Sequence, residues 1–146
     1  MSANDEARKF ADLYGRFEYA LKRTGHLKKG RPNAQADWAS FAGSLGAAFF
    51  EEVRSSGVAN ILINDPPRKQ MSEGLKWTRS EPAKLNSVEE LFLQGVCRVR
   101  NSYAHGEKFK GNPAQSERDA KLVSDALTVL NLAKSHNEEV ASLIRE

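Results

Sequence analysis

The chain has 146 residues and a mass of 16.2 kDa, the usual size of one domain, so we expect a single domain over residues 1–146. Hydrophobic residues make up 40% and charged residues 28%, a balance that excludes both general disorder and a membrane protein. The longest stretch without a polar side chain, Leu45 to Phe50, is far shorter than the roughly 20 residues of a spanning helix. The N-terminal residues lack the pattern of an export signal, and a single cysteine fits a reducing compartment. We therefore expect a cytoplasmic protein without a membrane partner.

The first two helices are predicted from apolar residues at spacings of three and four. The first spans Asp5 to Arg23, and the second runs from Asp37, a suitable N-cap, to Gly57, a suitable C-terminal stop. Their apolar faces consist of Phe10, Leu13, Tyr14, Phe17 and Leu21 in the first helix, and of Trp38, Phe41, Leu45, Phe49 and Val53 in the second. Glycines and a proline between them predict a basic loop over residues 24–36.

The middle of the chain is less regular. Val58 to Ile63 fits either a helical turn or a short strand, and the Pro66-Pro67 pair ends it in both cases. Residues 64–86 form a connection longer than most loops, and such a length is typical of loops that serve a function.

The second half of the chain is again helical in pattern. Ser87 and Glu90 have the spacing of a capping box, which predicts the start of a third helix that stops at Gly106. Its apolar stripe consists of Val88, Leu91, Phe92, Gly95, Val96, Val99 and Tyr103. Ser116 is expected to open a fourth, central helix, and Asn137 to cap a short final one. The sequence thus predicts an all-α bundle of four to five helices.

Basic residues are concentrated in three windows, although the net charge is only +3. Residues 22–31 hold five cations and no acid, and the windows 66–84 and 98–110 each carry a surplus of about three positive charges. The rest of the chain is therefore acidic. Because attraction to phosphate depends on local cation density, this segregation points to a nucleic acid partner if the windows converge in space.

Several common enzyme classes are excluded by their missing motifs. The histidines His26, His105 and His136 have no metal-ligand spacing, and one cysteine cannot form a thiolate zinc site. The sequence also has no phosphate-binding P-loop, no nucleophile-elbow serine and no dinucleotide-binding glycine turn. We expect neither a metal nor a cofactor.

The segment from Val99 to Lys108 combines a guanidinium with a side chain that titrates near neutral pH. This pairing suits cleavage of a phosphodiester. The His105 imidazole can move a proton to or from a ribose or leaving oxygen, while Arg100 stabilises the charge that builds on phosphorus.

These residues resemble the HEPN superfamily, whose helical members carry Arg, a polar residue, three to five further residues and then His. Arg100, Asn101 and His105 match this motif, and the following Gly106 is similar to a bacterial, often plasmid-borne subgroup. Further stretches that resemble the family are Phe17 to Lys22, Pro66 to Gln70, Lys108-Phe109 and Arg118-Asp119-Ala120. The resemblance extends loosely over most of the chain.

The resemblance implies a metal-independent endoribonuclease that works as a homodimer, with two Arg/His pairs in one cleft. Many such proteins act as toxins or in defence against phage, so an antitoxin is an implied protein partner. Other members only bind RNA or nucleotides, and this non-catalytic module, or a helical partner protein, is the alternative hypothesis.

The candidate catalytic residues are Arg100, His105 and Asn101, where Asn101 either orients the imidazole or phosphate or helps to end the helix. Positions five apart point about 140° apart on a straight helix, so Arg98, seven before His105, is a rival phosphate contact. The candidate RNA-binding residues are Arg98, Lys108, Lys110, Lys69 and Trp77, although for Trp77 packing of the long loop onto the core is favoured over stacking on a base. Leu93, Cys97 and Ala104 lie near the Arg100 side of the helix and form the candidate dimer contact.

Overall fold

The computed structural model describes residues 3–68, 83–104 and 113–145, and the regular structure within these ranges is helical. The described ranges contain six helices, which confirms the predicted all-α bundle. They are α1 (Ala3–Arg23), α2 (Trp38–Ser56), α3 (Asn60–Asn64), α4 (three contiguous segments, Val88–Glu90, Leu91–Val96 and Cys97–Ala104), α5 (Pro113–Ser135) and α6 (Glu138–Arg145). None of these helices combines the length and apolar character needed to cross a bilayer.

The capping residues predicted from sequence define both ends of α2 and the starts of α4 and α6. The Asp37 carboxylate accepts the backbone N–H of Ser40 at 3.0 Å at the start of α2. At the other end of α2, Gly57 has φ 73°, a left-handed conformation that glycine adopts without steric cost. The Asn137 side chain accepts the N–H of Val140 at 3.0 Å and so caps α6.

The capping box at the start of α4 forms with one difference from the expected pattern. The Ser87 hydroxyl accepts the N–H of Glu90 at 3.1 Å, but the Glu90 carboxylate accepts the N–H of Asn86 at 2.9 Å rather than that of Ser87. The middle segment of α4 is π-helical, since the Cys97 N–H bonds to the carbonyl of Phe92, five residues back.

The structure decides one element that the sequence left open and corrects the predicted start of another. The Val58 to Ile63 region forms the helical turn α3 and not a strand. The prediction that Ser116 opens the fourth helix was wrong, because α5 begins at Pro113, and proline is favoured in the first helical turn, where a missing N–H costs nothing. The basic loop 24–36 is closed by an isolated antiparallel bridge between Leu27 and Ala36. The expected stop at Gly106 lies outside the described residues.

A cluster of aromatic rings joins α1, α2 and α4. Trp38 stacks on Tyr14 with ring centroids 4.8 Å apart and on Phe92 at 6.0 Å, while Phe41 packs tilted or edge-on against Phe17 and Phe92. Helix α5 contributes residues from more than one face to the same core, as its apolar pattern predicts: Leu122, Val123, Ala126, Val129, Leu130 and Ala133. Helix α5 packs against α1, α3, α4 and α6 and is therefore central.

Helix α2 bends at Gly46, which has φ 82° and ψ 172°. Only glycine adopts this backbone conformation readily. The N-terminal half of α2 carries Trp38 and Phe41, and the C-terminal half carries Phe49 and Val53, so both halves contribute side chains to the core.

Two side chains of α5 hold the region around α3 in place. The Arg118 guanidinium bonds to the Asp65 carboxylate at 3.0 Å and also donates to the carbonyls of Asp65 and Pro66. The Asp125 carboxylate accepts the N–H of Leu62 at 3.0 Å, near the start of α3, where Ala59 provides no side-chain cap. Residues distant in sequence thus replace a local cap.

Candidate functional site

The two rival arginines of α4 occupy different surroundings. Arg98 is partly buried and donates to the carbonyl of Pro67 at 3.4 Å, and this burial lowers the pKa of its guanidinium from the ordinary value. The Arg100 guanidinium lies 5.4 Å from the centre of the Tyr14 ring, close enough for a cation–π interaction, and bonds to Asn101 Oδ1 at 3.3 Å. Among the described residues, Arg100 therefore faces α1 while Arg98 faces the segment that follows α3.

Arg100 and Asn101 line a surface cleft of about 540 Å³ between α1, α4 and the basic loop. Side chains from α1 form one wall, side chains from α4 form the other, and residues 34–39 close the space. We call it the basic cleft; the residues that carry its chemistry are Tyr14, Glu18, Lys22, Lys28, Arg100 and Asn101. A volume of this size is sufficient for a nucleotide-sized ligand.

The charged groups of the basic cleft are not paired with one another. Within residues 3–68, 83–104 and 113–145, the ammonium groups of Lys22 and Lys28 and the carboxylate of Glu18 make no hydrogen bond or ion pair. Asp37 also lines the cleft, but its carboxylate is used as the cap of α2. Lys22, Lys28 and Glu18 thus face a common space with their hydrogen-bonding capacity available to a ligand, and Arg100 adds the donors that do not bond to Asn101.

The floor of the basic cleft is formed by Tyr14 and Cys97. The Tyr14 hydroxyl faces the Cys97 thiol, and burial raises the pKa of both groups, that of Cys97 to about 11. The Glu18 carboxylate adds to both increases because a nearby negative charge opposes a second one. Both groups are therefore neutral at physiological pH, which excludes a reactive thiolate here.

The sequence left open whether the three basic windows converge, and the structure brings residues of two of them together. Lys22 and Lys28 come from the first window and Arg100 from the third, and all three line the basic cleft. The described part of the second window lies elsewhere: Pro67 meets Arg98, and Pro66 meets Arg118. The stretches around Pro66 and Arg118, which carry part of the family resemblance, are thus in contact with each other.

Several predicted site residues lie outside the described residues. These are His105, Lys108, Lys110, Lys69 and Trp77. His105 is adjacent in sequence to Ala104, the last residue of α4. Of the candidate dimer contact, Leu93 is 44% exposed and Cys97 is partly buried, and both line the basic cleft, whereas the side chain of Ala104 is among those not described.

The other two histidines have partners away from Arg100. His26 Nδ1 lies 2.8 Å from Ser40 Oγ, and His136 Nε2 lies 2.9 Å from a carboxylate oxygen of Glu52. In the part of the chain that the structure describes, no group of three or more His, Cys, Asp or Glu side chains could hold a metal ion.

Sequence reasoning missed Glu18 and the role of Tyr14. Tyr14 follows the apolar stripe of α1 and was expected only in the core, and Glu18 is one acid among several on an amphipathic helix. Their relation to Arg100 depends on how α1 packs against α4, which no local pattern contains.

The chain matches no protein-family model, no curated protein and no solved structure.

Proposed function

We propose that the protein is a metal-independent endoribonuclease of the HEPN type. The observation that supports this proposal best is that Arg100, the arginine of the Arg-Asn-x3-His motif, faces a cleft that Lys22 and Lys28 also line. A cationic cleft of this kind attracts the phosphates of a single RNA strand and aligns them with the motif.

In the proposed reaction, the ribose 2′-oxygen attacks the adjacent phosphorus and the bond from phosphorus to the 5′-oxygen breaks. The His105 imidazole accepts the proton of the 2′-hydroxyl, and the imidazole of a second copy in a homodimer protonates the leaving 5′-oxygen. Arg100 stabilises the negative charge that accumulates on the phosphate oxygens, and Asn101 bonds to its guanidinium. The products are a 2′,3′-cyclic phosphate and a free 5′-hydroxyl.

The exposed side chain of Leu93 supports the homodimer part of the proposal, since a large apolar side chain on the Arg100 side of α4 suits a contact between copies. A cytoplasmic ribonuclease of this kind would act as a toxin or in phage defence, with an antitoxin as its protein partner.

The proposal is tested with purified full-length protein and labelled RNA in EDTA. Wild type should cleave, and His105→Ala and Arg100→Ala should each lose cleavage by at least about 100-fold while retaining a cooperative thermal transition. Neither His136 nor Arg8, an exposed residue of α1, lines the basic cleft, so His136→Ala and Arg8→Ala are matched controls that should keep activity. Cleavage that requires added metal, or that survives His105→Ala, would contradict the proposal.

The alternative is a non-catalytic module that binds RNA or nucleotides. The unpaired cations of the basic cleft favour binding whether or not a reaction follows. In the same experiment, RNA that is retained by wild type but cut under no condition would establish this alternative.

A further inference from the structure

Glu18 is an acid in a place that otherwise suits phosphate. It lines the basic cleft and also an adjoining depression of about 280 Å³, and it shares both with Tyr14 and Arg100. Its carboxylate has no hydrogen bond or ion pair with any described residue. A carboxylate repels phosphate, so Glu18 opposes phosphate binding in the cleft. We therefore expect the ligand to carry a hydrogen-bond donor that contacts Glu18.

The positions along α1 show which part of a nucleotide meets Glu18. Tyr14, Glu18 and Lys22 lie on successive turns of one helix face, with about 6 Å of rise between each pair. Arg100 contacts Tyr14 at one end of this series, and Lys22 stands at the other. A strand along α1 that places phosphates near Arg100 and Lys22 therefore puts the nucleoside between them opposite Glu18.

The chemistry of a carboxylate selects among the four bases. An ionised carboxylate only accepts hydrogen bonds and binds best to two adjacent donors. On its Watson–Crick edge, guanine presents the N1–H and the N2 amino group side by side. Uracil presents one N–H between two carbonyl acceptors, and adenine and cytosine each present one amino group beside an acceptor nitrogen.

We propose that Glu18 makes the basic cleft selective for guanine. This inference rests on the proposed function in that the guanine belongs to an RNA strand held by the same cations. It also predicts a property of the isolated cleft, namely that guanosine monophosphate binds better than the other mononucleotides.

The test measures binding of GMP, AMP, CMP and UMP to the full-length protein by calorimetry, and cleavage of RNAs with one guanine at different positions. Wild type should bind GMP on the order of tenfold more tightly than the other three, the usual effect of a two-point base contact. Glu18→Gln should bring the four affinities to within about twofold, because an amide keeps one acceptor and puts a donor in place of the other, so the two-point contact with guanine is lost. Glu117→Gln removes the same charge on α5, outside the basic cleft, and should leave the GMP preference unchanged.

Different results would contradict the ribonuclease proposal and the proposal of guanine selectivity. RNA cleavage without any guanine preference in wild type, or a preference that Glu18→Gln retains, overturns the role of Glu18 and leaves the ribonuclease intact. A GMP preference that depends on Glu18 in a protein that never cuts RNA supports the selectivity and overturns the ribonuclease. Equal binding of the four mononucleotides by wild type is sufficient to reject the inference, even if the Glu18 variant does not fold.

Discussion

Arg98 and Arg100, two residues apart on α4, hold their guanidiniums against different elements: Arg98 donates to the Pro67 carbonyl at 3.4 Å, and Arg100 lies 5.4 Å from the centre of the Tyr14 ring. Two residues correspond to a rotation of about 200° on an α-helix, so one side chain cannot substitute for the other. Of the two, Arg100 shares its cleft with Lys22 and Lys28.

We therefore expect substitution of Arg100 to affect cleavage and substitution of Arg98 to affect mainly stability. Arg100→Lys should lower the cleavage rate by about 100-fold with little change in melting temperature, because a point charge replaces a planar fork of donors. Arg98→Ala should lower the free energy of unfolding by about 1 kcal/mol, the usual value of one hydrogen bond, and leave more of the activity. Single-turnover kinetics and thermal melts separate the two effects; equal losses of activity would contradict the assignment.

The salt dependence of RNA binding should report the lysines of the basic cleft. Each lost phosphate contact on a single strand reduces the slope of log K against log salt by about 0.7. Lys22→Ala and Lys28→Ala should each show this reduction when anisotropy is measured in the cleavage-deficient His105→Ala background. Lys121→Ala, whose ammonium group faces Glu117 on α5, should leave the slope unchanged. If none of the three substitutions changed the slope, the basic cleft would not be the site of RNA binding.

Asp125 should affect stability in a pH-dependent way. Burial raises the pKa of its carboxyl, and the N–H groups of Leu62 and Ile61 oppose this only in part. A raised native pKa favours folding below the unfolded pKa, and this contribution is lost as the pH rises through the native value. Asp125→Asn, which keeps an acceptor for Leu62 without the charge, should match or exceed wild type in melting temperature at pH 7, with the difference shrinking in acid.

A shorter side chain at the same position gives the matching control. Asp125→Ala leaves the Leu62 N–H without its acceptor and should cost about 1–3 kcal/mol at any pH. If the asparagine variant were as unstable as the alanine variant at pH 7, the charge of Asp125 would be required and the interpretation above would be wrong.

Cys97 should react slowly with thiol reagents at neutral pH. Its thiol pKa is raised to about 11, first by burial and further by the Glu18 charge, so very little thiolate forms at pH 7. The labelling rate with iodoacetamide should rise about tenfold per pH unit between pH 7 and 9, and Glu18→Gln should increase the rate at a fixed pH. Since the chain has one cysteine, the same reaction in denaturant provides the reference rate. Labelling of the native protein at that reference rate would contradict the burial of the thiol.

The starts of α2 and α6 were predictable from sequence because their capping hydrogen bonds join residues three apart, Asp37 with Ser40 and Asn137 with Val140. The cap of α3 by Asp125 and the contact of Arg100 with Tyr14 were not predictable in this way. Both join residues more than 60 positions apart, and their geometry is decided by how whole helices pack. For the candidate site, sequence identified Arg100 and the basic windows, while packing revealed that Glu18 lies among them.

The bend at Gly46 divides α2 into two parts that make different contacts. Before it, Asp37 and Trp38 shape the cleft; after it, Phe49 stacks on Phe92 and meets the ring of His136. No neighbouring atom would obstruct a side chain at Gly46, so the only penalty for replacing it is the backbone angle itself. A residue that straightened α2 would shift Trp38 away from both Tyr14 and Phe92, so the shape of the cleft and the packing of the aromatic core are coupled through this single glycine.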